Sequence, residues 1–84
     1  MIHELKTWKE YFKLVLSGEK PFELRKNDRN FLIGDKLILK EIDKESNLYT
    51  GRTMHRRITY VLKGADAVDF GLKEGYCILA LEKV

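Results

Sequence analysis

Residues 17–31 read SGEKPFELRKNDRNF, and the fold turns on whether they form a solvated loop or a strand. Beyond Pro21 the chain changes to a period of two. Phe22 and Leu24 alternate with Glu23, Arg25 and Asn27, which is the pattern of a strand. In that reading Phe22 and Leu24 turn to the core and fix the register, because a slip of one residue would expose both. Glu23, Arg25 and Asn27 then share the outward face, with Lys20 just before them. The NDRN cluster at 27–30 supplies a turn.

Upstream of this stretch, Trp8, Tyr11, Phe12, Val15 and Leu16 recur at helical spacing and predict a helix over residues 8–17. Thr7 and Glu10 have the T-x-x-E spacing of a capping box, and Gly18 supplies the stop. The aromatic stripe is expected in the core rather than at a cofactor. IHELK at 2–6 reads as an opening strand. Downstream, IGDK makes a turn before a strand at 37–42. DKESNLYTG is a polar hairpin connection, and 52–62, RTMHRRITYVL, is a long strand in which Met54, Ile58, Tyr60 and Leu62 share one face. Lys63 and Gly64 end it. ADAVDFGLKEG is a loop with one helical turn, and the last strand covers 76–82.

The reading is an α+β domain spanning residues 1–84, with about five strands and one main helix near the N-terminus. A sheet this short has exposed edges, and closure into a small β-barrel removes them. The helix would then plug one end of the barrel or cover one side.

Eighty-four residues allow a single domain. A content of 44% hydrophobic residues belongs to a folded chain rather than a disordered one. The net charge of +3 permits a polyanionic partner, but 13 acidic residues dilute the 16 basic ones. The single cysteine, Cys77, lies in the apolar run GYCILAL and reads as a buried, inert thiol. One Cys with His3 and His55 far apart matches no metal-ligand spacing, so no metal is expected. No cofactor motif and no run long enough to cross a membrane is visible, and the expected location is the cytoplasm.

Two groups of residues have the chemistry of a site. The first is the charged face of 20–29. Its bland alternative is a solvated edge strand with weak ion pairs. The second is Arg52, His55, Arg56 and Arg57, a basic cluster suited to phosphates. On a strand, however, Arg56 and Arg57 point to opposite sides. His3 reads as a structural histidine.

The segments HELKTW, LSGEKPFELRKNDR, IGDKLILKE and YCILAL together resemble a small bacterial and phage family of ASCH-like proteins (activating signal cointegrator homology), relatives of the PUA RNA-binding fold. The most specific part is G-x-K-x-x-E-x-R, here Gly18, Lys20, Glu23 and Arg25. The resemblance implies a PUA-like β-barrel with a cleft beside the helix, bordered by Lys20, Glu23 and Arg25, where RNA or a nucleotide binds. One catalytic branch of that family deacylates acetylated cytidine. It has a lysine at the position of Lys20, a threonine at that of Glu23, and a late glutamate for which Glu74 is the candidate. Glu23 in place of the threonine favours recognition over reaction.

The expected function is therefore an RNA- or nucleotide-binding module without cofactor. Lys20, Arg25 and Arg29 would contact phosphates or a base carbonyl, and Glu23 and Asn27 would read a base edge. Arg52, Arg56 and Arg57 would steer the polyanion. The alternatives are a small amidohydrolase using Lys20, Glu23 and Glu74, and a protein-interaction domain.

Overall fold

The computed structural model describes residues 1–84. Chain order is β1 (Ile2–Trp8), α1 (Lys9–Ser17), β2 (Phe22–Lys26), β3 (Lys36–Asp43), β4 (Leu48–Lys63), α2 (Gly64–Ala67), a short 3₁₀ turn (Val68–Phe70) and β5 (Tyr76–Lys83). The five strands form one sheet in the order β1-β3-β4-β5-β2. Only β1 and β3 run parallel; the other pairs are antiparallel.

The sheet is long in the middle and curls. β4 has 16 residues, so its first half pairs with β3 and its second with β5. The β3–β4 register shifts between Lys40 and Ile42, and the β4–β5 register shifts between Ile58 and Tyr60. Such bulges bend a strand and increase its twist. The second shift also breaks the alternation expected along 52–62. Met54 and Ile58 are buried, but Tyr60 is exposed, and Val61 packs against the core in its place. The curled sheet encloses a core of Leu5, Phe12, Val15, Phe31, Leu37, Leu39, Met54, Ile58, Cys77 and Leu79.

The result is a half-barrel rather than a closed barrel, since β1 and β2 are edges with no backbone ladder between them. It also has two short helices, of nine and four residues, instead of one main helix. α2 begins at Gly64 for a steric reason. A Cβ there would lie 2.0 Å from the carbonyl oxygen of Lys73, so only glycine lets the two backbones approach.

α1 starts one residue later than the spacing predicts, with Trp8 at its cap and no side-chain hydrogen bond there. The expected capping box is absent because Thr7 is the last buried residue of β1, and its hydroxyl faces Arg25 instead. At the other end Gly18 takes a left-handed conformation (φ 87°). Its N–H donates to Val15 O at 3.2 Å, and the N–H of Lys20 donates to Leu14 O at 3.0 Å. Of the apolar stripe only Phe12 and Val15 are fully buried; Trp8, Tyr11 and Leu16 are about half exposed.

The register of β2 is the reverse of the expected one. Glu23 pairs across the ladder with Leu79 and Arg25 with Cys77, both core residues. Glu23 is therefore 3% exposed, whereas Phe22 and Leu24 are 40% and 55% exposed. The charged residues turn inward at the open seam, and the apolar ones stay partly exposed at its rim. A lone buried carboxylate would be prohibitive there. It is tolerated because two cations meet it, as described next.

Candidate functional site

The backbone of β1 leaves carbonyls unpaired along its free edge, and arginines from the β2 side reach them. Arg25 donates through Nη2 to Lys6 O and to the Thr7 hydroxyl, the latter at 3.2 Å. Arg29 donates through Nη1 to Glu4 O at 2.8 Å. Two guanidinium groups thus bridge the seam where a strand pair would otherwise lie, and satisfy edge groups that would otherwise remain unpaired.

Beside this bridge and next to α1 lies an open pocket of about 520 Å³. Its charged floor is a trio. Glu23 accepts from Lys20 Nζ at 3.2 Å on one oxygen and from Arg25 Nε at 3.0 Å on the other. Lys20 also donates to Phe22 O at 2.9 Å. The hydrogen bond from the Lys20 amide to the end of α1 fixes where that side chain begins, and Pro21 O, accepting from Leu81 N at 3.0 Å, fixes where the strand begins. The trio has two positive charges and one negative, so it retains a net attraction for an anion.

The walls are aromatic. Trp8 and Tyr11 stack with ring centroids 6.0 Å apart and planes inclined by 16°. Phe22 faces the pocket from β2, and Lys20 Nζ sits 4.8 Å from its ring centroid and 5.2 Å from that of Tyr11. Lys44 lies 5.0 Å over the Trp8 ring and adds a further cation at that side. Thr7, Lys6 and Leu24 complete the lining.

The residues singled out from the sequence divide accordingly. Lys20, Glu23 and Arg25 converge in this pocket. Arg29 lines a neighbouring cavity instead. Asn27 pairs through its backbone N–H with Gly75 O at 2.8 Å, and its side-chain oxygen is buried without a protein partner. The 52–57 cluster does not reach the pocket. Arg52 lies over Phe12 and 3.6 Å from Glu41. Arg56 is turned inward and donates to His55 O and to Val15 O at the end of α1. Arg57 stands 4.0 Å from Glu82. Glu74 is exposed in the turn before β5 and is not part of the pocket.

Sequence reasoning missed Thr7, Trp8, Tyr11 and Phe22. One signal was present. Five large apolar residues in a helix this short make a stripe wider than one contact with a curved sheet can cover, and the surplus rings are left at the edge.

Elsewhere, His3 is buried and hydrogen-bonded at 2.8 Å to Asp35, edge-on to Phe31. Burial pushes the Cys77 thiol up, with the nearby charge of Asp28 adding to it. No helix is long and apolar enough to cross a membrane.

The family described as "Domain of unknown function (DUF3850)" matches residues 2–81. An uncharacterised 12.9 kDa protein of Escherichia phage P2, in the GpA 3′ region, is 48% identical over 65 residues. That alignment takes in 77% of this chain and 58% of the phage protein, so the chain spans little more than half of that relative's length.

Proposed function

This chain belongs to the DUF3850 family, and we propose that its seam pocket binds a nucleotide unit, either free or as an unstacked residue of RNA. The observation that carries this reading is the meeting of exposed aromatic faces (Trp8, Tyr11, Phe22) with the Lys20–Glu23–Arg25 trio in a single pocket. A base offers a flat π-face and a polar edge, and proteins that take single-stranded nucleic acid supply rings for the first and charge for the phosphate. The remaining Arg25 donors and Lys6 suit a phosphate, and the Glu23 carboxylate offers an acceptor for an exocyclic amino group. A pocket of about 520 Å³ is within the usual range for small-ligand sites. The resemblance of the sequence at Gly18, Lys20, Glu23 and Arg25 to the ASCH-like motif would imply the same ligand class.

The test is an NMR titration with the four ribonucleoside monophosphates. At least one should shift amide signals concentrated at residues 6–8 and 20–25 in a saturable way. Shifts scattered over the surface, or none for any nucleotide, would overturn the reading.

One observation favours a second reading, hydrolysis of an acylated nucleoside. Thr7 brings into the pocket the hydroxyl that position 23 lacks, 3.2 Å from Arg25. Binding remains the preferred reading because Lys20 and Glu23 are engaged with each other. Acetate release from acetylated cytidine by the wild type, lost in Thr7→Val, would establish the hydrolase. No release would leave binding alone.

A further inference from the structure

The seam continues past Arg25. On the far side of the bridge a second cavity of about 390 Å³ shares Lys6 and Arg25 with the first and adds Glu4, Arg29, Lys40 and Tyr49. Four cations there face one carboxylate. That carboxylate, Glu4, is already taken by Lys40 Nζ at 3.0 Å. Arg29 spends one nitrogen on Glu4 O and keeps its other donors without a protein partner. Lys6 makes no ion pair with any carboxylate. Tyr49 is half exposed, with Lys40 Nζ 5.2 Å from its ring centroid.

A cationic cavity alone fits any anion. What selects the ligand is that this one shares two lining residues, Lys6 and Arg25, with a pocket walled by aromatic rings. A strand whose base occupies the first pocket leaves it past those two side chains and meets Arg29 and Lys40 next. Alternating ring surfaces and cations along one groove is the arrangement that tracks a nucleic-acid backbone.

We infer that the seam holds a single-stranded segment, with a base at Trp8, Tyr11 and Phe22, its own phosphate at Arg25 and Lys6, and the next phosphodiester at Arg29 and Lys40. This rests on the nucleotide reading and goes beyond it by assigning the second cavity and by naming an oligonucleotide, not a mononucleotide, as the preferred ligand.

The experiment compares adenosine monophosphate with a dye-labelled hexamer of riboadenylate, using the wild type and an Arg29→Gln/Lys40→Gln variant, over a series of salt concentrations. The hexamer should bind wild type at least about tenfold more tightly than the monophosphate. Its log–log salt slope should be steeper by roughly 0.7 for each added phosphate contact. The double variant should lose the hexamer's advantage while binding the monophosphate as before, which also reports that it is folded. Lys40→Gln alone, altering a side chain whose carboxylate partner is exposed, repeats the test should the double variant not fold. Equal affinity for the two ligands, or equal weakening of both in the variant, would remove the extended site and leave the nucleotide pocket standing. Displacement of the hexamer by polyglutamate at matched charge would likewise overturn it, marking a surface for acidic polymers. If neither nucleotide ligand binds, both readings fall together.

Discussion

Glu23 sits on the inner face of β2 between core residues, and each of its oxygens takes a hydrogen bond from a different cation. The pairing is what allows a carboxylate to occupy that place. Glu23→Gln keeps the shape and removes the charge, leaving Lys20 and Arg25 close together and uncompensated. Urea unfolding should show a loss of about 1–3 kcal/mol, moderated by the partial exposure of both cations. A second carboxylate, Asp35, acts through pH. The His3 hydrogen bond, joined by bonds from the Met1 amino group and the Leu32 N–H, lowers it from 3.8 to about 2 against the cost of its burial. A folded-state value below the unfolded one adds stability that is complete above about pH 4 and is lost as the pH falls towards about 2. Unfolding free energy followed from pH 5 to pH 2 should therefore decline on the order of 1–2 kcal/mol more in wild type than in Asp35→Asn. Equal acid slopes in the two proteins would refute that role.

At the scale of elements, α1 divides its apolar residues between two tasks. Phe12 and Val15 are buried in the half-barrel, whereas Trp8 and Tyr11 stand at the pocket. Phe12→Ala should cost about 3–5 kcal/mol, and Tyr11→Ala under about 1 kcal/mol, in thermal or urea unfolding. Comparable losses would mean that the whole stripe is core, as its spacing suggests. The spacing did locate the helix, because periodicity and Gly18 are local signals. All five strands were legible for the same reason, to within a few residues at their ends. What alternation cannot supply is which side of a strand faces inward. At β2 hydrophobicity pointed to Phe22 and Leu24, yet ion pairing with Lys20 and a bridge to β1 turned Glu23 and Arg25 inward instead. The bridge joins residues far apart in the chain, and the Lys20–Glu23 pair, only three residues apart, does not tell which face of the strand is buried. The same holds along β4, where the bulge near Thr59 ends an alternation that the sequence continues to Leu62. The site was legible as a set of charges at Lys20, Glu23 and Arg25. Its aromatic walls were not, because a ring at helical spacing looks the same whether it is packed under a sheet or left at its edge.

At the scale of the molecule, the half-barrel is completed by side chains rather than by a ladder. Arg25 and Arg29 span β1 and β2, and that choice leaves a seam with cavities on both sides of the bridge instead of a sealed wall. A closed barrel would have no such groove. The architecture therefore places charge, rings and access at one position. The most direct measurement of that claim uses Trp8, the one tryptophan of the chain, as its own reporter. Fluorescence should change saturably when a ribonucleotide is added, and Phe22→Ala should weaken the apparent affinity about tenfold, in line with roughly 1–3 kcal/mol for a stacked base. A folded protein whose Trp8 emission shows no saturable response to any ribonucleotide or to the riboadenylate hexamer would contradict the account.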